Sequence, residues 1–259
     1  MRRIAISAAV LACLVIACAL PGAVRGQGYG GGAGQSSADP EIRIAISLAD
    51  LLRGARTVIS ANQDLINDPD RGDKGLSGDA VLAKTRENAM AAGLDVTKVD
   101  PDSRQGRILA AMTASITEVM IANQSLINQK GAGFKGFVPA VFGRLVTEQF
   151  RVDVKGAADI KVTAPPQLVR NRKASPDEFE TTVIRTKFLS PSWKKGELFA
   201  EAAPVKGRAA TRVLVPEYYG TGCLSCHGEP KGQIDVTGYP KEGAKLDQLG
   251  GVISITLYK

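Results

Sequence analysis

The sequence predicts an α+β fold in which long N-terminal helices, built as a duplicated unit, pack on an antiparallel β-sheet. Three observations predict it. Apolar residues recur at three- and four-residue spacings from Pro40 to Asn128. A seven-residue block repeats within that stretch, and β-branched or aromatic runs separated by turn residues fill the C-terminal half. With 259 residues, 44% of them hydrophobic and 23% charged, the chain can bury one generous core or two small ones. That balance excludes wholesale disorder and a multi-pass membrane protein.

Residues 1–26 read as an export signal. Arg2 and Arg3 form a positive end, and Ile4 to Leu20 carry no charge. A stretch of about 17 such residues, several only alanine, sits at the lower limit for a membrane-spanning anchor, so export is the stronger reading. Val15-Ile16-Ala17-Cys18 resembles a lipoprotein box, which makes Cys18 a candidate lipid anchor, whereas Pro21-Gly22-Ala23 and Val24-Arg25-Gly26 favour free release. The expected location is periplasmic or otherwise exported. Removing this leader takes away three arginines and leaves 30 basic against 26 acidic groups, a net +4. No basic stripe interleaved with aromatics accompanies that charge, so nucleic acid is not an expected partner.

Residues 27–39 form a Gly/Ser-rich tether without hydrophobic periodicity, and residues 40–259 are expected to be one folded domain. Its helical part runs over 40–160. Ala61-Asn62-Gln63-Asp64-Leu65-Ile66-Asn67 recurs 61 residues on as Ala122-Asn123-Gln124-Ser125-Leu126-Ile127-Asn128, and Gly72, Lys74 and Gly75 match Gly133, Lys135 and Gly136 at the same offset. Each copy reads as a helix, a Gly/Lys turn and a second helix starting near Ser77 or Pro139. Two copies are too few for a solenoid and suggest a paired helical unit.

From residue 161 to 259 the pattern changes. Val162 to Lys173, with Pro165-Pro166, reads as a linking segment. Phe179–Leu189, Leu198–Val205 and Ala209–Val215 read as strands, the last two joined by a hairpin turn at Lys206-Gly207-Arg208. Gly250–Tyr258 alternates like a half-buried final strand.

Chemistry concentrates in Cys223-Leu224-Ser225-Cys226-His227. With Cys13 and Cys18 in the leader, Cys223 and Cys226 are the only cysteines of the mature body, so a disulfide framework is excluded. CxxCH is the attachment sequence of haem c: two thiols two residues apart reach the porphyrin's two vinyl groups, and the adjoining imidazole meets the iron. One covalently attached haem c is the expected cofactor, with His227 as its axial ligand. His227 is the chain's only histidine, so bis-His ligation and three-His zinc sites are excluded. Two other chemistries use these residue types. A structural zinc would need a fourth ligand that no other mature Cys or His supplies. A thiol–disulfide oxidoreductase places CxxC at a helix start, usually without a following histidine.

The runs Val215-Pro216-Glu217-Tyr218-Tyr219, Asp235-Val236-Thr237-Gly238-Tyr239-Pro240-Lys241-Glu242-Gly243 and Leu249-Gly250-Gly251-Val252-Ile253-Ser254-Ile255 flank CxxCH, with Gly133-Phe134-Lys135-Gly136-Phe137 and Leu168-Val169-Arg170-Asn171-Arg172 upstream. In these segments the chain resembles the periplasmic PAS-like c-type haem family, a sensor-type haem-binding domain whose members are largely catalogued as a domain of unknown function. The resemblance implies a PAS-like antiparallel sheet with long N-terminal helices and one haem, sensing redox state or a small ligand. Family members can place a helical cysteine on the iron opposite the histidine; this mature body has none to offer.

The remaining distal candidates are Met90, Met112 and Met120, a lysine or tyrosine, water, or nothing. Met112 and Met120 lie eight residues apart on one helix face, although methionines so spaced are more often core filler. Tyr218 and Tyr219 are close enough to CxxCH to line a haem pocket. Trp193 could stack at a haem edge but suits packing better. Arg170, Arg172 and Lys173 are candidate propionate partners, and the Lys74 and Lys135 turns weak candidate anion hosts. The function expected is a redox or small-ligand sensing module whose partners are a small gas or a redox protein, with periplasmic electron transfer as the alternative. No catalytic residue is expected, since His227 is committed to the iron and no second histidine remains as a distal acid–base group.

Overall fold

A computed structural model describes residues 39–259. The export signal, the candidate anchor Cys18 and the tether as far as residue 38 lie outside the described residues. The helical half begins with α1 (Pro40–Ala61), entered through Asp39, whose carboxylate accepts the Glu41 N–H, with Pro40 at the first helical position. α2 (Gln63–Asn67), α3 (Gly78–Ala91), α4 (Arg104–Ala122), α5 (Gln124–Ile127) and α6 (Pro139–Asp153) follow. Ser77 and Ser103 cap α3 and α4 by accepting the N–H groups of Ala80 and Gly106.

The repeat is a structural duplication. α1, α2 and α3 correspond to α4, α5 and α6, and the two copies clasp each other through reciprocal bonds. The Lys74 N–H donates to the Asn128 side chain and the Lys135 N–H to that of Asn67, each at 3.0 Å. Gln63 donates to the Phe137 carbonyl and Gln124 to that of Leu76. Gly75 and Gly136 take φ of +66° and +69°, left-handed conformations in which glycine is favoured. The matching residues therefore hold one copy against the other.

The sheet contains β1 (Ala158–Thr163), β2 (Phe199–Ala202), β3 (Ala210–Tyr218) and β4 (Leu249–Tyr258), all antiparallel in the order β1-β4-β3-β2. Alternation divides its side chains. Ile160, Val213, Val215, Ile253, Ile255 and Leu257 join the helices in the main core, whereas Leu214, Val252 and Leu249 face a smaller cluster. The Lys206-Gly207 turn occurs as expected, both residues at positive φ between the bonded pair Val205 and Arg208.

Two expectations need correction. Phe179–Leu189 is helical: α7 (Glu178–Val183) runs into a wider π-turn over Ile184–Phe188. The composition favours a strand, but Phe179, Val183, Ile184 and Phe188 recur at helical spacing and cover the sheet's second face. Asp177 and Glu180 form a reciprocal capping box at its start. The proposed linker at Val162 also begins too early, because Ala158–Thr163 is an edge strand paired with β4. Its short, partly polar sequence conceals that role.

Candidate functional site

The chain leaves β3 through a register shift at Glu217 and Tyr218. A 3-10 turn at Thr221–Cys223 passes directly into α8 (Leu224–His227). Cys223 and Cys226 thus sit three residues apart on one helical turn, which places side chains on a common face. Both thiols are free and half-buried. Gly222 passes close to α1, where a Cβ would stand 3.2 Å from the Ser60 hydroxyl. At Gly228 the turn closes so tightly on Leu224 that a Cβ would lie 2.6 Å from its carbonyl oxygen.

His227 is held on three sides. Its Nδ1 is 2.9 Å from Oε2 of Glu242, its ring lies 5.1 Å from that of Tyr219 with a 33° tilt, and its carbonyl accepts the Ala244 N–H at 2.7 Å. Tyr219 is anchored through its own backbone, exchanging bonds with Gln248 and Asp247. Gly250 makes room for this tyrosine, since a Cβ there would come within 2.6 Å of the ring.

Behind Glu242 stands Arg170. Its Nε donates to Glu242 Oε1 at 2.8 Å, Nη1 to Asp235 Oδ2 at 2.6 Å and Nη2 to the Cys226 carbonyl at 2.9 Å. One guanidinium therefore ties both carboxylates to the CxxCH peptide. Asp235 is built as a fixed anion. Burial opposes its charge, but bonds from the Thr237 hydroxyl, Arg170 and the Tyr239 and Thr237 N–H groups outweigh burial and hold it well below the usual carboxylate range. Glu242 is likewise lowered: burial opposes the charge and bonds from Arg170 and His227 overcome it. An ionised Glu242 can only accept, so His227 Nδ1 donates in this bond and Nε2 is the ring nitrogen left outside it. Burial, then the Glu242 charge, push the Tyr219 phenol up to about 12, which keeps it neutral.

A second charged cluster adjoins the entry to this loop. Glu217 receives Arg53 and Arg56 from α1, and Arg53 also lies 3.6 Å from Asp50. Burial and then the Glu217 charge raise the Asp50 carboxyl to about 7.

The structure brings Cys223, Cys226, His227 and Tyr219 together but separates Tyr218 from them. Its hydroxyl accepts the Gly196 N–H and its ring joins the small cluster on the sheet's second face. Tyr218 is the last residue of β3 and turns to that second face, whereas Tyr219 lies just beyond the strand, against His227. Trp193 packs in that same cluster, between Phe188 and Phe199. Arg170 is engaged by protein carboxylates and is not free for propionates, while Arg172 and Lys173 are exposed. Met112 and Met120 are fully buried in the main core, and Met90 is exposed on α3. The Lys74 ammonium is bonded to the Asp68 and Arg71 carbonyls and that of Lys135 to the Ile66 and Ile127 carbonyls. Sequence reasoning missed Glu242 and Asp235, although both stand in the Asp235–Gly243 run beside CxxCH.

The donor set suits haem better than zinc. Two free thiols on one turn and an imidazole whose Nε2 is left outside the Glu242 bond are the groups that haem c attachment uses, and a carboxylate is one of the acceptors that orient a metal-bound histidine through its other ring nitrogen. Among the described residues, no group of three or more His, Cys, Asp and Glu side chains is arranged to hold a metal ion.

The model of the family described as Tll0287-like matches residues 83–257, from α3 to β4. No curated protein and no solved structure matches the chain.

Proposed function

We propose that this chain, which belongs to the Tll0287-like family, is an exported, cytochrome-like protein carrying one haem c. In this reading Cys223 and Cys226 hold the porphyrin by thioethers and His227 Nε2 is the axial ligand. The observation that carries it is the bond from His227 Nδ1 to Glu242, which leaves Nε2 as the free donor on the turn that bears both thiols. Haem would supply an iron that exchanges one electron or binds a small ligand. The residues orient it: Tyr219 and Glu242 set the ring of His227, and Arg170 secures the peptide at the Cys226 carbonyl.

The sheet supports a PAS-like reading, with its last strand central between the first strand and a hairpin. Exposed Ile234, Val236, Tyr239 and Leu246 leave apolar surface on the loop that closes over His227, the kind of surface a porphyrin or a partner covers. The burial of Met112 and Met120 favours water or an exogenous ligand at the sixth position. That favours a redox or small-ligand responsive module. A second reading, electron transfer, is favoured by the half-exposed attachment peptide, which would leave a haem edge near solvent. Ferric and ferrous absorption spectra with and without CO test the choice. A ferrous spectrum that shifts with CO supports the responsive module; an unchanged one with fast reversible reduction supports transfer.

A further inference from the structure

We infer that Glu242, clamped by Arg170, is the positioning residue that sets the redox poise of the iron, stabilising the ferric state through the imidazole of His227. This rests on His227 being the axial ligand. Three observations carry it, beginning with the contact itself. A carboxylate accepting the Nδ1 proton makes the ring a stronger electron donor at Nε2, and the higher-charged metal gains more from that donation.

Next, the carboxylate cannot swing away. Its second oxygen is bound by Arg170, whose remaining nitrogens are bound by Asp235 and by the carbonyl of Cys226, inside the CxxCH peptide. The clamp and the proposed ligand are therefore parts of one bonded network, with Tyr219 against the face of the ring and the Ala244 N–H on the His227 carbonyl.

Finally, the charge does not cancel. One guanidinium serves two carboxylates, so Arg170, Asp235 and Glu242 together keep one net negative charge beside the ring. Asp235 is completely buried, which limits solvent screening of that charge. A single acidic partner would have been neutralised by Arg170; the second carboxylate prevents it.

The test is a mediated potentiometric titration of the holoprotein, in which ferric haem takes one electron from the mediator. Glu242→Gln keeps an acceptor for Nδ1 and removes the charge. It is expected to move the reduction equilibrium at least tenfold toward the ferrous state, or 59 mV upward for a one-electron couple. Glu242→Asp should restore part of the difference. Should Glu242→Gln fail to accumulate as holoprotein, Asp235→Asn decides, because its amide oxygen can still accept from Thr237 and Tyr239 while the net charge falls to zero; its potential should also rise. A coloured variant with the wild-type potential overturns the inference and leaves the haem reading intact. A colourless wild-type protein overturns both.

Discussion

Nδ1 of His227 lies 2.9 Å from Oε2 of Glu242, and the other oxygen of that carboxylate is held by Arg170. The chain's only histidine is thereby held at Nδ1 by groups from two distant segments. Arg170 stands in the segment after β1 and Glu242 in the loop before β4, so the site exists only where these two remote segments meet.

Arg170→Ala should be costly. It strips the partner from the fully buried side chain of Asp235 and frees the Cys226 carbonyl. Removing one member of a buried ion pair costs about 3–5 kcal/mol, and the partial exposure of Arg170 places the expected loss near the lower end. Arg170→Lys should recover only part of it, since an ammonium cannot reproduce the guanidinium fork. Urea midpoints of the three proteins check both statements.

Gly250→Ala tests the packing around Tyr219. Glycine is needed there for space, as the added methyl would stand 2.6 Å from the ring. Overpacking of this sort costs about 1–3 kcal/mol. Gly133→Ala, where a Cβ meets nothing within 4 Å, is the control expected to change stability far less. Equilibrium unfolding of the two variants separates them.

Asp50 makes stability depend on pH. Its folded-state pKa of about 7 stands above the ordinary carboxyl value of 3.8, so its contribution is full below about 4 and is lost as pH rises through 7. Asp50→Asn removes that dependence. Relative to wild type, the variant should gain stability between pH 5 and pH 8, measured as the difference in urea midpoint at the two values. An unchanged difference would refute the buried-acid assignment.

The clasp between the two helical copies predicts matched losses. Asn67→Ala orphans the Lys135 N–H and Asn128→Ala the Lys74 N–H, each now bonded at 3.0 Å. An unsatisfied buried donor costs about 1–3 kcal/mol, and the two variants should lose comparable amounts in thermal or urea unfolding.

What the sequence made legible is what local chemistry decides. The Lys206-Gly207 turn, the final strand and the duplicated helices each carry their signal within a few residues. α7 is less plain, because Phe179, Val183 and Ile184 have the composition of a strand, while the signals that favour a helix are the Asp177–Glu180 capping box and the spacing that seats these residues on the sheet's second face. β1 is hidden for a related reason: its pairing partner, β4, is remote in sequence. At the site, Cys223, Cys226 and His227 are legible through their spacing. Glu242 and Asp235 are not, since their roles depend on Arg170 crossing from another element. Tyr218 and Tyr219 are equivalent in sequence, but β3 ends between them, leaving Tyr218 on the sheet's second face and Tyr219 against His227.

The central claim is that a porphyrin is bonded to Cys223 and Cys226, and the most direct measurement is the intact mass of the mature protein under denaturing conditions. The account predicts a polypeptide heavier by one haem, with the pigment retained through acid–acetone extraction. A mass equal to that of the bare processed chain, from cells that assemble other c-type cytochromes, would contradict it.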